Sequence, residues 1–490
     1  MSAPSVSIST QSDHEYRAPP PFDPPSAFPE SPFPGRLDPD NTVYTTVRDA
    51  LRLLQRDAAH IDSAEWNPLD GIVRPGDTVF IKPNMIAHKH ALNDDWDYVI
   101  THGSVLRAVI DYVFIALRGE GRILVGDAPQ TDSHYDRIIE RMGLGAIRDL
   151  YREAHDFEIQ LIDLRDEHWI EKDGIYVETV KLPGDPAGSL AVDLAGKSLF
   201  TEFDGLGKTY YGAFYDTSET NEHHHDGRHE YAISRTPIEA DVFINVPKLK
   251  THKKCGLTVN LKSLVGINAN KNWLPHYCIG GPEDGGDQFA PGAGVKGRLE
   301  NSIVLAAKKR LLKEGSLMKI AARRLKKLGY RIFGSTEEVV RSGNWHGNDT
   351  VWRMCLDLNR ILTYANPDGT LRAPGQAKRF FSIVDGIVSM EGNGPVAGTR
   401  KPTGLIVAGD NPVNVDAACA RLMGFDYETL PLIARCFEEH PLPLVDVDYE
   451  TLTAASNHEA WSGPLSDWPS DSLFHFKPHF GWVNRIELRR

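Results

Sequence analysis

The sequence predicts an α/β fold: a mostly parallel, doubly wound sheet with an inserted β-rich segment and a basic helical insertion. Two patterns lead to this prediction. Short apolar runs typical of buried strands alternate with longer amphipathic stretches typical of helices. A region rich in Gly, Asp and Pro turns interrupts this alternation. Because parallel strands are joined by helical crossovers, the alternation favours a sheet covered on both faces.

The first part of this frame extends from residue 42 to residue 164. It opens with a helical pattern at Val47, Leu51 and Leu54, followed by a Pro75-Gly76 turn and a buried apolar strand from Thr78 to Ile81. Further along we predict a helix over 104–117, a strand over 122–125, helices between 135 and 154, and a strand over 159–162. These elements predict consecutive parallel strands.

The alternation stops at residue 165 and resumes near residue 241. Between them, short alternating segments such as Gly174–Val180 predict hairpins inserted into the frame. The resumed pattern predicts strands over 241–245, 380–384 and 405–408, and a helix over 412–423 that begins with Pro412.

Composition shifts divide the chain further. Ten of the 32 prolines fall within the first 40 residues, which predicts an extended or disordered arm. The predicted parts are a disordered Pro-rich arm (1–41), an N-terminal α/β part (42–164), a β-rich insertion (165–235), a Lys- and His-rich site region (236–295), a basic amphipathic helical segment (296–335), a C-terminal α/β part (336–440) and a turn-rich tail (441–490).

The overall charge and the cysteine pattern exclude several functional classes. The 490 residues include 54 Lys and Arg against 67 Asp and Glu, a net charge of −13, which argues against a nucleic-acid-coating protein. The N-terminus resembles no signal peptide, and no apolar run approaches the roughly 20 residues of a membrane span, so we expect a cytoplasmic protein. The five cysteines form no CxxC pair, so we expect neither a disulfide framework nor an iron–sulfur cluster.

One segment departs from the acidic balance. Residues 296–332 contain 12 Lys and Arg against two Glu, with leucines interleaved at near-helical spacing. This pattern fits two hypotheses. The segment would either contact the inner membrane surface peripherally, or dock its cations on an acidic surface of the same chain or of a second subunit in a homo-oligomer.

Charged residues follow five predicted strands directly. Lys82, Asp127, Lys248, Asp385 and Asp410 occupy these positions. Ligands of open parallel sheets bind outside the carboxyl ends of the strands, so we expect these side chains to converge on one crevice. A single Asp-Gly at a strand end is also ordinary turn chemistry, but five such coincidences favour a site.

The densest cluster of candidate residues begins at Lys248 and continues beyond Lys271. Lysines in an acidic chain suit a phosphate or carboxylate ligand, and histidines titrate near neutrality. Candidate catalytic residues are His252, Lys262, His276 and Glu391. Candidate substrate-binding residues are Lys82, Asn84, Lys248, Lys250, Asn260, Lys271 and His346, and candidate ligands of a divalent metal are Asp127, Asp287 and Asp385. No motif with the required context predicts a nucleotide cofactor.

Several of these blocks resemble a known family. Ile81–Asn84, Asn245–His252, Asn260–Gly266 and Met390–Pro395, together with Val415–Ala417, are similar to the signature of the domain of unknown function 362 family, over roughly Thr78 to Gly424. The family has no general assigned reaction. Some members carry a ferredoxin-type cysteine cluster, which this chain lacks. The basic segment and the block Asn344–Arg353 resemble features of a longer subgroup, and this resemblance implies an association with surface-polysaccharide genes.

Three functional hypotheses follow. We favour an enzyme that binds a small anionic molecule, together with a divalent metal, at the carboxyl ends of the strands. The anion is a phosphate or a carboxylate, and in one form of this hypothesis it is linked to a carbohydrate. The second is a redox or isomerase enzyme acting on a hydroxy acid or sugar with an unidentified cofactor. The third is a non-catalytic binding protein in surface-glycan assembly.

Overall fold

The computed structural model describes residues 4–172, 175–213, 217–292 and 339–489. The predicted basic segment, 296–335, lies outside these residues, so its role at a membrane or an interface stays a prediction. No helix within the described ranges combines the length and apolar character needed to cross a membrane.

Eighteen strands and ten α-helices are described. The strands are β1 Val6–Thr10, β2 Thr78–Pro83, β3 Arg122–Asp127, β4 Ile159–Asp163, β5 Glu167–Lys172, β6 Ile175–Lys181, β7 Ser189–Asp193, β8 Tyr210–Tyr211, β9 His224–His225, β10 Arg228–Ser234, β11 Val242–Val246, β12 Lys248–His252, β13 Gly256–Thr258, β14 Tyr277–Cys278, β15 Arg379–Glu391, β16 Thr399–Gly409, β17 Thr453–Ser456 and β18 Gly463–Pro464. The α-helices are α1 Thr42–Leu53, α2 Gly103–Leu117, α3 Tyr135–Arg141, α4 Leu144–His155, α5 Ser218–His223, α6 Arg235–Glu239, α7 Asn260–Ser263, α8 Val351–Tyr364, α9 Pro412–Leu422 and α10 Pro431–Ala434.

A central sheet organises the fold. Its strands lie in the order β18-β17-β1-β16-β15-β11-β2-β3-β4, and β12 and β13 extend it beside β15. Within this order, the five strands from β15 to β4 are parallel to one another. The predicted α/β class with a mostly parallel sheet is therefore confirmed.

Helices cover both faces of the sheet because successive strand residues point to opposite sides. On β2, Val79 and Ile81 pack into one apolar cluster with α1, α2 and α4, while Phe80 packs into a second cluster with α8 and α9. Such double coverage explains why the parallel strands are apolar along their whole length.

The direction of β16 differs from the expected parallel frame. It runs antiparallel to β15, with Ser382 opposite Gly409. Only residues 392–398 join the two strands, a connection too short for the crossover that a parallel pair requires. Asp410 therefore does not join the other four strand-end charges, and forms an exposed ion pair with Arg56 instead.

The N-terminal arm is also not the disordered segment that its prolines suggested. Strand β1 inserts between β16 and β17, and Phe22 and Phe33 are buried in the cluster around α1 and α2. The buried Arg107 donates to the Pro21 carbonyl at 2.7 Å. These apolar and charged anchors order a proline-rich chain, because proline in extended backbone loses little entropy on folding.

The β-rich insertion forms small sheets beside the central one. Strands β5 and β6 pair as a hairpin, and β7, β10 and β9 form a three-stranded sheet. Strand β8 pairs with β14, which comes from the predicted site region. This pairing fixes the insertion against the segment that follows α7.

Asp416 on α9 ties that helix to α7. Its carboxylate is completely buried and accepts hydrogen bonds from the backbone N–H groups of Asn260 and Leu261, at 2.8 and 3.0 Å, and from the Asn260 side chain at 3.0 Å. Without this carboxylate, three buried donors would lose their acceptor.

We expect Asp416→Ala to lower the free energy of unfolding by about 3 kcal/mol, because unsatisfied buried donors retain their full desolvation cost. The matched control is Asp410→Ala, which removes an exposed ion pair and should cost less than about 1 kcal/mol. Urea denaturation measures both values. Equal, small losses in the two variants would contradict this role for Asp416.

Candidate functional site

A cavity of about 310 Å³ opens at the carboxyl ends of β2 and β3. Its lining comes from the segments after these strands, from β12, from α7 and the turn after it, and from Trp169 on β5. Six lysines line it against two aspartates, Asp127 and Asp132. The lysines are Lys82, Lys250, Lys253, Lys254, Lys262 and Lys271. In a chain with a net charge of −13, this is a pronounced local excess of positive charge.

Eight of the fourteen predicted site residues line this cavity. They are Lys82, Asn84, Asp127, Lys250, His252, Lys262, Lys271 and His276. They converge because β2 and β3 are adjacent and parallel, while β12 and α7 bring the lysine-rich block over their ends.

Lys82 and Asp127 form a buried ion pair in the cavity wall, with Nζ and Oδ1 2.9 Å apart. Asp127 also accepts the backbone N–H of Met85 at 2.8 Å. Burial lowers the pKa of Lys82, and the Asp127 charge opposes that shift. The backbone passes so close that a Cβ on Gly266 would lie 1.7 Å from Asp127 Oδ1. Only glycine fits there.

A chain of buried hydrogen bonds connects Lys82 to the interior. Its ammonium group donates to Ser263 Oγ at 2.9 Å, and this hydroxyl donates to Asn245 Oδ1 at 3.2 Å. The Asn245 amide donates to Asn260 Oδ1, and the Asn260 amide donates to Asp416 Oδ1, each at 3.0 Å. Burial raises the pKa of Asp416 to about 7, and its N–H donors oppose the shift. Each side chain in this series of hydrogen bonds is oriented by the next.

Lys250 and Lys271 direct their ammonium groups at backbone carbonyls. Lys250 donates to Val99 at 2.6 Å, and Lys271 donates to Val265 at 2.8 Å and Asn268 at 3.1 Å. Burial lowers the pKa of Lys271 to about 7. Burial also lowers the pKa of Lys250 well below its ordinary value, and the charges of neighbouring lysines add to the shift. These hydrogen bonds fix the positions of the two amines in the cavity wall.

Lys262 is different. It is half-buried, and its ammonium group makes no hydrogen bond or ion pair with any residue that the structure describes. A cation at a cavity wall with unused donors is available to a ligand anion.

The two histidines of the cavity hold their hydrogens on different nitrogens. His276 Nδ1 lies 2.8 Å from the Leu274 carbonyl, which only accepts, so Nδ1 carries the hydrogen and Nε2 the lone pair. His252 Nδ1 accepts the backbone N–H of Lys254 at 3.1 Å, so in the neutral ring Nε2 carries the hydrogen. His276 Nε2 is therefore an acceptor, and His252 Nε2–H is a donor.

Both imidazoles are neutral over most of the pH range. Burial lowers the pKa of His276 to about 3, and the Lys254 charge contributes. Burial also lowers the pKa of His252 well below its ordinary value, and Lys262 and its neighbours lower it further. A neutral imidazole with a free Nε2 lone pair is a proton acceptor, which is the arrangement needed for general base chemistry.

The other six predicted residues do not line this cavity. Lys248 and Asp385 pair with each other at 3.0 Å, and the Tyr16 hydroxyl lies 2.6 Å from each of them. Asn260 belongs to the Asp416 chain, as described above. Structural contacts account for these side chains completely.

Asp287, Glu391 and His346 also have partners elsewhere. Asp287 accepts the Cys278 N–H at 2.6 Å and the Thr350 hydroxyl at 2.6 Å. The Glu391 carboxylate accepts the backbone N–H of Lys477. The backbone N–H of His346 donates to the Gly481 carbonyl. The predicted metal ligands Asp127, Asp287 and Asp385 thus belong to three different networks. Within the described ranges, no group of three or more His, Cys, Asp or Glu side chains is arranged to hold a metal ion.

Sequence reasoning missed some of the cavity lining. Lys253 and Lys254 belong to the lysine-rich block, and the local density of charge was a signal that could have identified them. Trp169 comes from the β-rich insertion, and Ser263 is an uncharged residue that follows Lys262. No local pattern distinguishes these two residues from core positions.

Comparisons with known proteins agree with the resemblance of the sequence blocks. The model of the family described as "Domain of unknown function (DUF362)" matches residues 79–188 and 201–421. No curated protein matches the chain. Among solved structures, the lactate racemase apoprotein from Thermoanaerobacterium thermosaccharolyticum is similar, with 9% sequence identity and a TM-score of 0.29, over 73% of this chain and 51% of that chain. This chain therefore matches only about half the length of that protein.

The family match covers most of the chain, and it includes all six cavity lysines. The protein belongs to the DUF362 family.

Proposed function

We propose that the protein is an enzyme that binds a small phosphate- or carboxylate-bearing molecule in the lysine-lined cavity and moves a proton on it. The observation that supports this most strongly is the excess of six lysines over two aspartates in one cavity of an acidic chain. Lysines placed so close together disfavour one another's charged forms, and a bound anion would compensate those charges.

Lys262 is the principal anion-binding residue in this proposal, since its donors are unused among the described residues. Lys82 and Lys271 lie in the walls at positions that are fixed by their own partners. A preorganised arrangement of this kind stabilises negative charge without rearranging when charge develops on the ligand.

His276 acts as the base through Nε2, and His252 donates through Nε2–H. The hydrogen positions support these roles, because Nε2 of His276 keeps its lone pair and Nε2 of His252 keeps its hydrogen. The complementary hydrogens favour an acid–base enzyme over a protein that only binds the anion. The carboxylates expected to hold a divalent metal have protein donors instead, so lysines neutralise the ligand in this proposal.

We expect Lys262→Met to weaken binding of inorganic phosphate or pyrophosphate by about 10- to 100-fold, the scale of a lost charge-assisted hydrogen bond. Isothermal titration calorimetry measures the change. The matched control is Lys197→Met, which removes an exposed lysine outside the cavity and should leave binding unchanged. Unchanged affinity in Lys262→Met, with measurable binding to the wild-type protein, would show that Lys262 is not an anion ligand.

A second prediction concerns the protonation of His276. Because its pKa is about 3, its ring signals should not move between about pH 8 and pH 5 in NMR spectra. The signals that are absent from the spectrum of His276→Gln are those of the His276 ring.

Below about pH 6.5 the folded state binds fewer protons at His276 than the unfolded state, so this residue makes stability rise with pH up to about 6.5.

His276→Gln should therefore flatten the dependence of unfolding free energy on pH in the acidic range. Urea denaturation at several pH values measures this slope for both proteins. A His276 signal that titrates near pH 6.5 in the folded protein would contradict the assignment of His276 as a neutral base.

A further inference from the structure

Lys254 is partly exposed, and it is held more loosely than Lys82 and Lys271. Its Nζ makes one long hydrogen bond, 3.4 Å to the His276 carbonyl, and lies 4.9 Å from the centre of the Tyr277 ring. It forms no ion pair with any described residue. By contrast, Lys82 is paired with Asp127, and Lys271 donates to two carbonyls.

The electrostatic surroundings of Lys254 favour a neutral amine. Burial lowers the pKa of Lys254 to about 7, and the positive charges of Lys253 and Lys262 contribute, while Asp287 opposes the shift. A substantial fraction of this side chain is therefore unprotonated at neutral pH. An unprotonated lysine in a desolvated, positively charged site is the form that attacks carbonyl carbon.

We propose that Lys254 is a nucleophilic amine that condenses with the carbonyl group of an anionic ligand bound in the cavity. Nζ attacks the carbonyl carbon to give a carbinolamine, which loses water to leave a C=N bond between the ligand and Lys254. The nitrogen loses both of its hydrogens as a neutral imine forms, and the carbonyl oxygen leaves with them as water. No oxidant or reductant is needed.

This inference rests on the proposed function, because the anion-binding lysines would hold the ligand beside Lys254. It narrows the ligand to two chemical classes, 2-oxo acids and phosphorylated aldehydes or ketones. His276 Nε2 and His252 Nε2–H, on the same cavity, supply the acceptor and donor that the dehydration step requires.

Trapping with borohydride tests this proposal. The full-length protein is incubated separately with pyruvate and with pyridoxal 5′-phosphate as probes, reduced, and analysed by intact-mass and peptide mass spectrometry. We expect one reduced adduct per chain, located at Lys254, with at least one probe. Excess inorganic phosphate should suppress its formation.

Two variants complete the experiment. Lys254→Arg keeps the charge but forms no stable imine, so the adduct should be lost, while Lys197→Arg should be labelled like the wild-type protein. If Lys254→Arg carries as much reduced adduct as the wild-type protein, on other lysines, the proposal is overturned. If phosphate binds calorimetrically while Lys254 stays unmodified by both probes, the imine proposal fails and the proposed anion site stands. If neither phosphate nor the probes bind, both fail.

Discussion

The buried pair of Lys82 and Asp127 is the interaction on which the arrangement of the cavity depends. It joins the ends of two neighbouring parallel strands, and Gly266 lies against it. Through Ser263 and two asparagines, the same lysine is connected to Asp416 on α9, a helix that covers the same face of the sheet. A buried charge pair contributes little net stability unless its remaining hydrogen bonds are satisfied. Here they are satisfied, so the pair fixes the position of the cavity wall.

The sheet and its helices could be predicted from sequence because their signals are local. Apolar runs, turn residues and helical periodicity predicted β2, β3 and α2 within a few residues of their bounds. Strand direction is not local. The antiparallel β16 follows from the short connection after β15, and the insertion of β1 between β16 and β17 depends on residues 400 positions away. Proline content alone therefore gave the wrong state for the N-terminal arm.

The site was partly predictable for the same reason. Lys82 and Asp127, at the carboxyl ends of β2 and β3, line the cavity together with the lysine-rich block. The sequence could not distinguish a charge that faces a ligand from one neutralised within the protein. Lys248 and Asp385 follow strands in the same way as Lys82, yet they pair with each other and with Tyr16, 369 positions from Asp385. Only the tertiary structure brings such partners together.

The distribution of hydrogen-bond partners separates the cavity lysines into two groups with different consequences. Lys82, Lys250 and Lys271 are held by a carboxylate or by carbonyls, so their amines stay at fixed positions. The described residues hold Lys254 weakly and make no hydrogen bond with the Lys262 amine. The interactions of these two amines therefore depend most on what occupies the cavity. Neighbouring like charges disfavour protonation of Lys254 and so favour the neutral amine when no anion is bound.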